Sequence, residues 1–236
     1  MDATRKQARI AGLLYTLVAV TAPIGLIYVP GKLFVTGDAT ATADHIRASE
    51  SLLRMGIASE LFHQAVEVFL VLVLYGLFKP VSKSLARQLA ILGLVPIPMV
   101  FLNVLNEIAA LLLVSGANFL AVFGKPQLDA MAMFFVRLHG QGLQVASIFW
   151  GLWLFPFGLL VIRCGFIPKA LGVLLLFAGL GYLLGSSTSL IFPQYTSTVG
   201  EIAGILEFGE PPIILWLLIW GAKVQSSKAK LPSVAK

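Results

Sequence analysis

The chain has 236 residues, of which 58% are hydrophobic and 12% charged, about half the charged share of about 25% in an average soluble domain. Its mean hydropathy is +0.91 and its formal net charge is +6. A soluble fold of this size cannot hide that much apolar surface, so composition excludes a water-soluble enzyme, a disordered chain and a nucleic-acid binder, and the single cysteine, Cys164, excludes an internal disulfide framework or a cysteine-built zinc site.

A bilayer core about 30 Å thick takes about 20 apolar residues per helix. The first apolar segment, about 10–29, follows Arg5, Lys6 and Arg9. Val20 and Ala22 mimic a signal-peptidase site, but the run continues to Val29, too long for a typical signal peptide, so a retained anchor is expected. Residues 30–51 carry Pro30-Gly31 and Gly37-Asp38 and predict a loop with a short helix near Asp44–Ser51. The second and third spans are expected at about 52–78 and 88–115, joined by a short basic turn. Residues 116–137 predict a second long loop, in which the apolar run Leu128–Val136 lies along the membrane. The remaining spans are expected at about 138–162, 170–192 and 200–222, followed by a small, polar, basic tail at 223–236. No internal repeat is evident, so the inverted-repeat signature of many secondary transporters is missing.

Orientation follows the Lys/Arg distribution. Arg5, Lys6, Arg9, Lys79, Lys83, Arg87, Arg163, Lys169, Lys223, Lys228, Lys230 and Lys236 fall on one side. Lys32, Arg47, Arg54, Lys125 and Arg137 fall on the other. Twelve against five puts both termini in the cytoplasm and makes the positive charge a topology signal, with lipid headgroups as its partners. The fold class expected is all-α: a single polytopic transmembrane bundle of six spans over residues 1–222, with both termini cytoplasmic.

Several strings carry a family resemblance. They are Ala48–Ile57 (ASESLLRMGI), Leu113–Leu120 (LVSGANFL) and Gly165–Leu175 (GFIPKALGVLL), supported by Leu138–Gly142 (LHGQG) and by Gly209-Glu210 with Leu215–Leu218 (LWLL). Across about residues 8–222 the chain resembles the bacterial membrane proteins grouped as domain of unknown function 4386. The resemblance implies a six-span protein of the bacterial cytoplasmic membrane and no particular activity. It also implies a nearly all-apolar second span, whereas this chain carries Glu60, His63, Gln64 and Glu67 there.

Polar groups inside the spans need a reason, because a charge at mid-bilayer costs about 2.5–3.5 kcal/mol on insertion scales. Five of the eleven carboxylates lie in spans: Glu60, Glu67, Glu107, Glu207 and Glu210. Helical neighbours recur at i+3, i+4 and i+7, so Glu60, His63, Gln64 and Glu67 form one polar stripe. Asn103 and Glu107, with Asn106 beside them, form a second; Gln141 with Gln144 and Glu207 with Glu210 form two more. At about 1.5 Å per residue, Glu60 and Glu107 each lie about 12 Å below the outer end of their spans, and Glu207 and Glu210 lie about 10–15 Å down. The expectation is a polar cavity in the outer half of the bilayer. Pro211-Pro212 removes two backbone donors beside Glu207 and Glu210 and leaves two readings of the sixth span there, an ordinary proline kink or a break that exposes backbone oxygens. Pro96 and Pro98 predict a bend in the third.

The chemistry these residues suit is acid/base work or proton coupling, with hydrogen-bonded helix glue as the bland counterpart. Glu60, Glu107 and Glu210 are the catalytic candidates. Arg54, His63, Glu67, Asn103, Asn106, His139, Gln141, Gln144 and Glu207 are the candidates for ligand contact, Arg54 as an anion clamp or as a partner of Glu50. Glu60-x-x-His63 is half of a di-iron carboxylate motif and lacks the second pair. A mononuclear metal site on Glu60 and His63, with Glu67 and Glu107, stays open as the weaker option, and the sequence requires no cofactor. His63 and His139 differ by about 13 Å in depth at 1.5 Å per residue, which disfavours a shared haem; His139 reads as a hydrogen-bonded interface residue. Three functions fit. The first is an intramembrane enzyme or binder of a lipophilic molecule, of lipid or isoprenoid kind. The others are a proton-coupled transporter and a structural subunit of a membrane complex.

Overall fold

The computed structural model of the chain describes residues 3–222; the basic tail expected at 223–236 lies outside them. Among the described residues all regular structure is helical and six stretches are long and apolar enough to cross a membrane, Ala3–Leu33, Glu50–Phe78, Lys83–Val114, Lys125–Cys164, Lys169–Ile191 and Pro193–Ile219. The protein is therefore a multi-pass, membrane-embedded helical bundle.

Prolines write the irregularities. In the first span, α1 (Ala3–Pro23) runs into a π-helical turn, Ile24–Tyr28, and then α2 (Val29–Leu33). Pro23 and Pro30 bracket that turn and supply no backbone N–H, and the chain switches there to an i→i−5 bond, Val29 N to the Ile24 carbonyl. The third span is α5 (Lys83–Leu94) and α6 (Pro96–Val114), bent at Val95, where Pro96 and Pro98 withhold their donors. The sixth is α9 (Thr196–Glu207) and α10 (Pro211–Ile219), separated by the turn Phe208–Glu210 ahead of Pro211-Pro212. The second span is the continuous α4 (Glu50–Phe78), and α8 (Lys169–Ile191) forms the fifth.

The connections at the end of the bundle opposite Arg9 and Ile219, the end the Lys/Arg count expects to be outer, differ most from expectation. The short helix α3 covers Ala39–Ala48, with the Asp38 side chain accepting from Ala41 N at 2.9 Å as its N-cap. Leu128–Val136 does not run along the surface. It forms the first turns of α7 (Lys125–Cys164), which has 40 residues and is about 60 Å long. Nothing between Pro126 and His139 can stop a helix, because the segment holds no Gly or further Pro. The extension is tied to α3 by charge: Lys125 bonds Asp44 at 3.1 Å and Asp129 at 2.9 Å, and Arg47 pairs with both Asp44, at 2.7 Å, and Asp129. Lys125 and Arg47 hold the exposed Asp44 carboxyl below the usual carboxylate range.

The two ends of the described stretch lie on the same side, where Arg9 donates to the Ile219 carbonyl at 3.0 Å. Helices α7 and α8 pack closely through paired glycines: a Cβ on Gly151 would stand 2.9 Å from the Gly179 carbonyl, and one on Gly158 2.7 Å from that of Gly172. Two apolar clusters organise the interior. One, around Leu70, Leu74, Phe78, Trp153, Phe157 and Leu217, fills the half nearer the termini. The other, around Val29, Leu33, Ile46, Leu53, Leu111 and Val136, lies beneath the outer connections. Along α4 and α7 the polar residues fall between these clusters.

Candidate functional site

The buried polar residues of the spans separate into two neighbouring groups. The first joins α4, α6 and α7. Glu60, Glu107 and His139 are almost wholly buried, with 0%, 0% and 2% exposure. His139 Nε2 lies 3.3 Å from a Glu60 carboxylate oxygen and 3.9 Å from one of Glu107. The three ligand atoms all fall within 4.8 Å of one another. Among the described residues neither carboxylate has a hydrogen-bond partner on either oxygen, and His139 Nε2 has none of acceptable geometry. The backbone approaches closely here: a Cβ on Gly25, in the π-helical turn, would stand 2.6 Å from Glu60 Cγ.

Asn103 and Asn106 brace this group from α6. Asn103 Nδ2 donates to the His139 carbonyl at 2.8 Å, and His139 Nδ1 lies 3.3 Å from the Asn103 carbonyl and 3.2 Å from Asn103 Nδ2. Asn106 Nδ2 donates to both the Asn103 carbonyl and its Oδ1 at 3.0 Å. Gly142 leaves room for this amide, since a Cβ there would overlap the Asn103 side chain.

The second group lines a cavity of about 530 Å³ between the first, second, fourth, fifth and sixth spans. Glu67, Glu207, Glu210, His63, Gln144 and Trp150 contribute to its wall, with Leu26, Ile27 and Leu143 among the apolar residues. Both oxygens of Glu210 accept from phenols, one from Tyr15 and the other from Tyr182 at 3.0 Å. The break in the sixth span sets Glu210 at the N-terminal end of α10. Ser147 and Ser186 hydrogen-bond to each other on another part of the lining. His63, on the cavity wall, is held within its own helix: its Nδ1 faces the Ser59 carbonyl at 3.2 Å and its Nε2 faces Gln64 Nε2 at 3.0 Å.

Other candidates stand apart. Arg54 is exposed and bonds Glu50 twice, at 2.9 and 2.6 Å. Gln141 is exposed and lines a separate hollow of about 310 Å³ with Arg137, Phe34 and Met133. His139, not His63, meets Glu60 and Glu107. Sequence reasoning passed over Tyr15 and Tyr182. A phenol in the middle of an apolar span was the available signal, since a buried Tyr hydroxyl needs a partner.

A relative from Archaeoglobus fulgidus, described as an uncharacterized protein, is 28% identical over 159 residues, which cover 67% of this chain and 79% of that protein. No solved structure matches the chain. The family described as "Domain of unknown function (DUF4386)" matches residues 10–221, nearly the whole described bundle, and the chain belongs to that family.

Proposed function

We propose that the protein takes a lipophilic molecule, of lipid or isoprenoid kind, into the cavity around Glu210 and holds it against acid/base groups. The carrying observation is the composition of that cavity. Its volume of about 530 Å³ is in the usual range for small-molecule sites, about 300–1,000 Å³, and its wall is mainly apolar with a few convergent polar groups. Leu26, Ile27 and Trp150 offer surface to a hydrocarbon chain. Glu67, Glu207, Glu210, His63 and Gln144 offer contacts to a polar head. Glu210, held by Tyr15 and Tyr182, is positioned to exchange a proton with that head, the phenols supporting whichever oxygen carries charge. The cytoplasmic membrane of a bacterium is the expected setting, and the Lys/Arg asymmetry supports termini facing the cytoplasm. The break beside Glu207 and Glu210 favours a second reading, proton-coupled transport. That reading requires a path through the aromatic cluster of Tyr15, Trp153 and Phe157, which closes the half of the bundle nearer the termini.

The test uses Gly204→Phe. Gly204 lines the cavity, and nothing lies within 4 Å of a Cβ built there, so the new ring enters the cavity without displacing backbone. Wild type and variant are purified in mild detergent and compared by native mass spectrometry. A lipophilic adduct on wild type that is lost from Gly204→Phe at similar Tm supports the reading. Identical adducts, or none on either, remove it. Proton-driven flux in liposomes would move the assignment to transport.

A further inference from the structure

We infer that Glu60, Glu107 and His139 form a binding site for one divalent first-row transition ion of the Zn2+ type, buried between the second, third and fourth spans. This is separate from the cavity reading and involves none of the groups bound to Glu210.

Three independent features carry it. The first is spacing. Zn–N and Zn–O bonds of about 2.0–2.2 Å at tetrahedral angles set ligand atoms about 3.3–3.6 Å apart. His139 Nε2 is 3.3 Å from Glu60 and 3.9 Å from Glu107, so the three donors already surround a point at bonding range with shifts of a few tenths of an ångström.

The second is unmet demand. The four oxygens of Glu60 and Glu107 are buried acceptors with no hydrogen-bond donor of acceptable geometry among the described residues. No Lys or Arg stands near them in sequence on the spans that carry them: none occurs between Arg54 and Lys79, or between Arg87 and Lys125. Two buried carboxylates facing one another are strongly unfavourable as anions unless a proton or a cation joins them, and a divalent ion neutralises both at once. A divalent ion with two carboxylates and a neutral imidazole is electrically balanced, which suits an apolar interior.

The third is the support around His139. A metal-bound imidazole donates its other N–H to a fixed acceptor, which sets its tautomer. The Asn103 carbonyl, 3.3 Å from Nδ1, can only accept, and Asn103 Nδ2, 3.2 Å from Nδ1, already donates to the His139 carbonyl at 2.8 Å. With the hydrogen on Nδ1, the lone pair of Nε2 faces the two carboxylates. Asn103 is itself held by Asn106 and bonded back to the His139 carbonyl, so the imidazole is fixed from α6. One turn along α4 from Glu60, Gln64 Oε1 is also buried without a partner and stands on the same helical face, an oxygen available to a fourth position or to a metal-bound water.

The experiment uses the full chain with an affinity tag free of histidine, purified in detergent, stripped with a chelator and dialysed. Zn2+ is titrated in, and bound metal is measured by elemental mass spectrometry. One equivalent per chain is expected in wild type and in Gly204→Phe, whose cavity is filled. Glu107→Gln and His139→Gln are each expected to weaken binding by about 100-fold or more, and Asn103→Ala by about 10-fold, at the low end of supporting-residue effects. Less than about a tenth of an equivalent in wild type, or equal binding in wild type and the two ligand variants, overturns the proposal and leaves a proton-linked carboxyl–imidazole cluster. If the ligand variants do not fold, Co2+ in wild type decides. Intense visible bands of a four- or five-coordinate ion support the site, and the weak spectrum of a six-coordinate aqueous-like ion overturns it. Because Gly204→Phe reports on the cavity alone, either reading can fail without the other.

Discussion

Gly25 and Glu60 touch. A Cβ on Gly25 would come within 2.6 Å of Glu60 Cγ and 2.9 Å of the Gly56 carbonyl, so the first span passes Glu60 at a distance that only a residue without a side chain allows. Gly25→Ala must therefore move Glu60 or part the first two spans. The expected cost is that of an overpacked interior, about 1–3 kcal/mol, read as a lower Tm in detergent. A Tm equal to or above wild type would show that this contact does not hold Glu60 in place.

The two phenols on Glu210 give a second expectation. Tyr182→Phe removes one donor from a carboxyl group that faces a mainly apolar cavity, and Tyr15→Phe removes the other. Each is expected to cost about 1–3 kcal/mol, because the acceptor left behind is still desolvated. Since both donors serve one carboxyl, the double variant should depart from the sum of the singles. Additive or neutral effects in thermal unfolding would mean that the phenols and Glu210 act independently.

The charged knot on the outer side gives a pH expectation. Asp44 is held below the usual carboxylate range by Lys125 and Arg47. Its contribution is fully present above the ordinary Asp value of about 3.9 and is lost as pH falls through and below that value, when the carboxyl protonates and releases Lys125 and Arg47. Protection of the α3 amides, measured by hydrogen exchange relative to the intrinsic rate at each pH, should therefore fall on acidification from about pH 4 downward in wild type, and this loss of protection should be smaller in Asp44→Asn. An unchanged profile in the variant would place the acid sensitivity elsewhere.

Glycine in a helix ordinarily gives way to alanine with a gain of up to about 1 kcal/mol. Gly140→Ala should follow that rule, since nothing lies within 4 Å of its built Cβ. Gly151→Ala, on the same helix, should do the opposite, because its Cβ would stand 2.9 Å from the Gly179 carbonyl across the α7–α8 contact. Opposite signs of ΔTm for the two substitutions are the expected result; equal signs would refute the close crossing.

The six spans were legible because length and hydropathy are properties of a segment by itself, and the irregularities at Pro96 and Pro211-Pro212 because a missing N–H acts locally, although its local action does not tell a kink from a full break. The start of α7 was less legible. A polar-to-apolar change at the membrane surface looks like a loop end, yet the helix continues through it into Lys125, held by Arg47 and Asp44 from a distant part of the chain. For the polar residues, helical spacing gives a shared face and 1.5 Å per residue gives a depth, so Glu60 and Glu107 read as lying at one level. Neither quantity gives the rotation of one helix about its axis relative to another. That rotation depends on packing such as Gly142 against Asn103, and it brings His139, not its nearer sequence neighbour His63, to Glu60. Tyr15 was passed over for the same reason: its partner lies 195 positions away in the sequence.

The π-helical turn at Ile24–Tyr28 has a consequence for the whole first span. A turn of this kind accommodates one additional residue, and one residue corresponds to about 100° of rotation around a helix. The stretch before it can thus direct Tyr15 toward Glu210, while the stretch after it directs Val29 and Leu33 into the outer apolar cluster. The widened turn works as a phase adjuster, letting one rod serve two differently oriented seams. Removing a single residue from it would swing the outer seam out of alignment while the inner one kept its partner.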